Sequence, residues 1–262
     1  MGGVLLAIIV VLIVLAPWIA PFDPMEIDPI MRLRPPSTEN LFGTDALGRD
    51  ILSRVLWGGR VSLFVGFTVA VAATGIGLSI GLLAGYLRRG DEVIMRVMDG
   101  LMAVPGILLA IVLMTLTRGS ITAVVIAITV PEVPRVVRLA RSLVLSVRNQ
   151  TYVEAAVAMG TSEPRILVRH ILPNVAAPLI VQATFVMASA IMIEAYLGFL
   201  GIGTPPEIPS WGNMMAEARS TISIGLWAML FPGIMLALTV LAINLCGDRL
   251  RDILDPRLAR RI

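Results

Sequence analysis

The 262 residues are 57% hydrophobic and only 15% charged, with a net charge of +3. Soluble domains carry about 25% charged residues, so the bilayer must be the solvent for much of this surface. All 21 basic residues are arginine, which excludes a P-loop nucleotide site and Schiff-base chemistry, since both need a lysine.

Met1–Phe22 is the first charge-free run. It lacks a basic n-region and ends in Pro17-Trp18 rather than at a small-residue cleavage site, so it is read as a retained first span. In the polar segment that follows, Pro21, Pro24, Pro29, Pro35 and Pro36 forbid a long helix. Beyond Thr44 or Asp45 as cap, Leu47, Ile51, Leu52, Val55 and Leu56 recur at helical spacing. They predict an amphipathic helix at the outer interface or beside the second span. That span is Val61–Tyr86, where Gly77, Gly81 and Gly85 recur every fourth residue and predict close approach of another helix. Gly100–Thr117 is the third span, with Arg96 and Asp99 at its start spaced as a structural i,i+3 pair. Asp99 is also a candidate for the solute path, because ionisable groups in membrane segments are functional candidates by default.

Gly119–Pro131 becomes long enough to cross if its helix continues to about Leu139, with Arg135 and Arg138 near the membrane surface. Val175–Ile193 is the fifth span, and Glu194 at its end either lines a solute cavity or sits at the outer rim. Ser220–Gly247 is the sixth. The expected fold class is an all-α polytopic membrane protein with six transmembrane helices, five being the alternative. Cys246 and His170 are the lone residues of their types, which leaves no internal disulfide and no His-rich metal cluster, and with no lysine almost no catalytic nucleophile–base pair to nominate. With six spans the termini share a side, and the segments there hold twelve arginines against seven opposite. By the positive-inside rule both termini are cytoplasmic.

The cytoplasmic segment Arg138–Asn174 is the most informative. Thr151 is placed to cap a helix, with Glu154 closing a capping box. Gly160 ends that helix, Ser162 caps a second one with Pro164 in its first turn, and Pro173 marks the start of the fifth span. The segment reads as helix, glycine turn, helix.

Glu154-Ala155-Ala156, then Gly160, then Leu172-Pro173 resemble the EAA loop of ABC importer permeases. Phe42-Gly43-Thr44-Asp45, Gly48-Arg49-Asp50, Ser53-Arg54, Met95-Arg96-x-x-Asp99, Arg169-His170-Ile171-Leu172-Pro173-Asn174, Leu197-Gly198-Phe199-Leu200-Gly201 and Pro209-Ser210-Trp211-Gly212-Asn213 are similar to the dipeptide/oligopeptide/nickel group, and specifically to the second, C-type permease of its pair. So is the tail from Gly247-Asp248 to Asp255-Pro256-Arg257. The nearly absent cytoplasmic N-terminus departs from that group and puts the start codon in question.

The resemblance implies a type I ABC importer permease fold. Residues 1–60 would hold the first span, the Pro-rich segment and the amphipathic helix; 61–247 the five-helix core with its coupling loop at about 140–174; and 248–262 an Arg-rich cytoplasmic tail. Glu154, Ala155, Ala156, Gly160, Thr161, Ser162, Glu163, Pro164, Arg165, Leu172 and Pro173 would couple the chain to an ATPase. The implied partners are a homologous second permease, two ATP-binding subunits carrying the ATP and magnesium, and an extracytoplasmic solute-binding protein. Membrane lipid surrounds the assembly, and no cofactor, metal or nucleic acid is expected on this chain. The implied solute is a di- or oligopeptide, with nickel or another small solute as the alternative. A secondary transporter is disfavoured, since no internal repeat is visible.

Overall fold

A computed structural model describes residues 2–86, 90–116 and 120–254. In chain order its helices are α1 (Gly2–Val14), α2 (Ala16–Ile19), α3 (Ile51–Tyr86), α4 (Asp91–Ala103), α5 (Gly106–Thr115), α6 (Ile121–Arg148), α7 (Thr151–Ala158), α8 (Glu163–Ile166), α9 (Leu172–Phe199), α10 (Trp211–Ala218) and α11 (Trp227–Leu254). Among the described residues there is no β-strand, only an isolated bridge between Thr44 and Asp50. Three continuous helices are long and apolar enough to cross a membrane: Ile51–Tyr86, Glu163–Phe199 and Trp227–Leu254. The α4–α5 pair qualifies as a fourth if taken together, bent by 85° at its break, while α1 is a shorter apolar helix.

The expected amphipathic helix and second span are one 36-residue helix, α3. It starts at Ile51 rather than near Thr44, because Asp50 is the residue that caps it: its carboxylate accepts from the Ser53 N–H and Ser53 Oγ, both at 2.8 Å. The expected third span is broken, since Pro105 cannot donate to the preceding turn and instead opens α5, its carbonyl accepting from Leu108 and Leu109. The expected Arg96–Asp99 pair does not form. Arg96 reaches Glu92 one turn back at 2.8 Å, and Asp99 takes Arg138 of α6. α11 begins at Trp227, later than the charge-free run that starts at Ser220. Of the expected Arg-rich tail, residues 255–262 lie outside the described residues, as do residues 87–89 and 117–119.

The main core gathers α3, α5, α6 and α9, with Val65, Val69, Ala73, Val124, Ile128, Val136, Val137 and Val186 buried together. The glycine stripe of α3 makes this possible. A Cβ at Gly77 would stand 2.5 Å from Val136 Cβ, one at Gly81 2.5 Å from Ala140 Cβ, and one at Gly85 2.8 Å from Val144 Cβ. These three hydrogens let α6 lie directly on α3, as the four-residue spacing predicts. α1 packs on α11 and α3, and its Ile9 and Ile13 share a cluster with Ala188, Ile191 and Ile243. A further cluster joins the start of α3 to α10 and α11 through Ile51, Val55, Met214 and Ala228.

Candidate coupling and solute-path sites

α7 starts one residue earlier than the capping-box reading requires. Gln150 holds the extended conformation, and its carbonyl accepts from Val153 and Glu154. Thr151 is already helical, Glu154 falls on the fourth helical position, and no capping box forms. Glu154 and Ala155 face outward while Val153 and Ala156 are buried. At the other end Gly160 adopts φ +74°. Its N–H donates to Val157 and the Thr161 N–H reaches back to Ala156, which is a Schellman termination.

Ser162 is the N-cap of α8 by position, but its hydroxyl makes no capping bond. Pro164 has no N–H to offer it, and the Arg165 N–H is taken by the Ser162 carbonyl. α8 is not a separate helix. A π turn, Leu167–Ile171, joins it to α9, so residues Glu163–Phe199 form one 37-residue rod. Pro173 therefore lies within that rod instead of at its start. The wide turn ahead of it, with the Leu172 N–H bonded to the Leu167 carbonyl, accommodates a residue that can neither donate nor tolerate an ordinary turn above it.

The resulting tip has two faces. Val153, Ala156, Ile166 and Ile171 are buried, three of them within the main core. Outside stand Ser162, Glu163, Pro164 and Arg165 together with four exposed apolar side chains, Tyr152, Val157, Met159 and Val168, Met159 being 78% exposed. Thr161 and Leu172 are half-buried and Pro173 exposed. The tip is also braced from the side, where Arg148 at the end of α6 bonds the Tyr86 carbonyl at 3.1 Å and lies over its ring.

Of the two candidates for the solute path, Glu194 is fully buried within this chain. Ser62 Oγ of α3 donates to its Oε2 at 2.9 Å, while Oε1 has no partner among the described residues. Nearby, Ser210 caps α10, and Asn213 Nδ2 bonds the Thr204 hydroxyl at 2.9 Å. Glu194 thus belongs to a buried polar seam between α3, α9 and the α10 segment. Asp99 is exposed and holds Arg138 at 2.5 Å, tying α4 to α6; Asp91 and Arg141 make a second such tie.

Two charged groups escaped the sequence reading. Glu132, the residue that ends the charge-free run Gly119–Pro131, is buried in α6 and accepts from Ser189 Oγ of α9 at 2.9 Å. Arg135 lies one turn on, its Nη1 3.3 Å from Glu132. The signal available was the position of both directly after the charge-free run Gly119–Pro131, in a helix expected to continue to about Leu139. At the start of α3, Arg49 and Arg54 are buried between Asp45 and Glu217: Arg49 Nε meets Asp45 at 2.7 Å, Arg54 Nη1 meets Glu217 at 3.0 Å, and Arg49 Nη2 also contacts Glu217. That network clamps the segment before α3 onto α10, and only the three-dimensional structure brings Glu217 to it.

Residues 77–260 match the family model described as binding-protein-dependent transport system inner membrane component. The chain belongs to that family. As an inner membrane component of this kind, it is the permease of an ATP-driven (ABC) importer. Residues 1–36 match a second family model, the N-terminal TM domain of oligopeptide transport permease C. Among relatives of this inner membrane component, the probable peptide ABC transporter permease protein y4tQ of Sinorhizobium fredii is 52% identical over 91% of this chain and 82% of its own. The di/tripeptide transport system permease protein DppC of Pseudomonas aeruginosa is 44% identical over 98% of this chain and 88% of its own. The same fold occurs in a chain of the inward-facing MetNI methionine ABC transporter, with a TM-score of 0.67 at 20% identity over 78% of this chain and 98% of that one.

Proposed function

We propose that this permease carries short peptides, di- or oligopeptides, by alternating access driven from separate ATP-binding subunits. The names of the 52% and 44% identical relatives support the solute class. The observation that carries the mechanism is the continuous rod Glu163–Phe199: whatever grips the exposed tip at Ser162–Arg165 moves a core helix directly, with no flexible joint between. The tip's mixture of exposed apolar groups with Glu163 and Arg165 fits a groove on a soluble protein, and coupling through Glu154–Arg165, Leu172 and Pro173 follows. Such a lever turns a two-state motor into a two-state membrane path.

On this reading six segments cross the membrane: α1 with α2, α3, the bent α4–α5 pair, α6, the Glu163–Phe199 rod and α11. Both termini and the tip are cytoplasmic. A second, homologous permease completes the path, two ATP-binding subunits hold ATP and magnesium, and an extracytoplasmic protein delivers the solute. This chain contributes no catalytic group, having no lysine and no phosphate-cradling loop.

The solute is tested by reconstituting the whole transporter in proteoliposomes. ATP-dependent accumulation of labelled di- and tripeptides is expected, and accumulation of nickel chelates with no uptake of any peptide would overturn the peptide assignment. Orientation is tested with single cysteines in a Cys246→Ser background. At the exposed Ser37 and Glu207 they should react with an impermeant thiol reagent outside intact cells, and at Ser162 only once the membrane is opened. External labelling at Ser162 would sink the coupling role.

A further inference from the structure

Glu132 and Arg135 occupy a depth at which ionised side chains are rare. α3 and α6 lie side by side in the same direction, with Gly77 at Val136, Gly81 at Ala140 and Gly85 at Val144. Carried back one turn, that register sets Glu132 level with Ala73, near the centre of the apolar run Val61–Tyr86. Glu132 turns inward to Ser189, but the Arg135 side chain is 57% exposed. From Arg135 to the end of α6 at Arg148, the exposed positions are Arg135, Arg138, Ser142 and Ser146. Their spacing of three and four residues puts them on one face of the helix, and all four are polar.

Hydrocarbon cannot cover such a face, because a charged group at mid-depth faces either a bundle interior or water. We propose that the stripe lines the cytoplasmic half of the aqueous solute path, and that Arg135, held by Glu132, contacts a carboxylate of the solute as it passes mid-depth. The proposal rests on the peptide reading, since every free peptide ends in a carboxylate. Arg138 is engaged by Asp99 at 2.5 Å, whereas Arg135 makes only a long contact through Nη1. Its Nη2 and Nε remain to form the two-pronged bonds that suit a planar carboxylate. Glu132 is a positioning residue here, fixing the guanidinium while Ser189 fixes Glu132.

The test uses the complete transporter in proteoliposomes with Cys246→Ser. In Arg135→Cys the thiol should react with a water-soluble methanethiosulfonate reagent, and a saturating dipeptide during turnover should slow the reaction. Peptide uptake should fall by about tenfold or more, the loss expected for a charge-assisted hydrogen bond. Attaching the cationic aminoethyl group should restore much of the uptake, and a neutral methyl or an anionic sulfonatoethyl group should not. A thiol unreactive from water places the residue against the second permease and overturns the proposal, as does rescue that ignores charge. If Arg135→Cys assembles poorly, the Glu132→Gln/Arg135→Gln double variant removes the pair as a neutral unit; it should assemble yet lose uptake, and normal uptake overturns the contact. A wild-type transporter that accumulates no peptide removes the peptide reading and this inference together, while charge-indifferent rescue in a peptide-importing transporter removes the inference alone.

Discussion

Replacing Gly160 with valine should cut uptake about tenfold while leaving the protein folded in the membrane. The glycine holds φ +74°, and a Cβ there would meet nothing within 4 Å. The penalty is therefore in the backbone alone, about 1–2 kcal/mol for a residue with a Cβ, and a β-branched side chain is the worst placed of all. The turn is expected to relieve this strain by leaving the left-handed conformation, which redirects Thr161–Arg165 away from whatever they grip. The buried anchors Val153, Ala156 and Ile166 are untouched, so insertion and abundance should be normal. Co-purification of the ATP-binding subunits and ATP-dependent uptake should each fall by about tenfold, the equivalent of roughly 1.4 kcal/mol at the contact. Gly160→Asn should keep most of both, since asparagine tolerates the left-handed conformation. Intact uptake in the valine variant would make the tip a mere connector. Glu154→Ala is expected to have little effect on folding, because no capping box depends on that carboxylate.

Gly81→Leu should prevent α3 and α6 from packing and deplete the folded protein. A single Cβ at this position lies 2.5 Å from Ala140 Cβ and 3.0 Å from the Val137 carbonyl, both on the facing helix rather than at the end of a pliable side chain. Even Gly81→Ala forces the two helices apart, at a cost of about 1–3 kcal/mol. Set against the roughly 5–15 kcal/mol that holds a typical protein folded, that loss should show as a lowered melting temperature in detergent, and leucine should exceed what the fold can absorb. Gly75→Ala on the same helix is the control: its Cβ would meet nothing within 4 Å, so melting should be unchanged. Equal effects at Gly75 and Gly81 would show that helix flexibility, not the closeness of α6, governs the stripe.

What could be read from the sequence was local. The spacing of Gly77, Gly81 and Gly85 announced a close helix contact, and Gly160 announced a left-handed turn, because each depends on a few neighbouring residues. What could not be read depended on distant partners. The expected amphipathic helix and the span expected from Val61 are a single helix, α3, which runs straight through Arg54 and the Gly58-Gly59 pair. Arg54 is buried because Asp45 and Glu217 meet it, and Glu217 arrives from another part of the chain. Asp99 followed the same rule, preferring Arg138 across a helix contact to Arg96 on its own helix. The break at Pro105 was present in the sequence, but the unbroken apolar run around it outweighed a single proline. Of the motifs that carried the family resemblance, Gly43–Arg54 and Pro209–Asn213 turn out to pack against one another at the start of α3, through the Asp45–Arg49–Arg54–Glu217 network and the Trp211 Nε1 bond to the Val55 carbonyl at 3.0 Å.

The wide turn at Leu167–Ile171 also sets an angular phase. One surplus residue in a helix rotates everything beyond it by about 100° relative to everything before it. The outward direction of Glu163 and Arg165 and the inward direction of Val175 and Leu179 are thus set relative to one another by that single residue. Drawing the turn into ordinary helical winding would swing the tip around the axis of α9 without bending it. The joint between motor and membrane is a splined shaft, stiff along its length and indexed by one tooth.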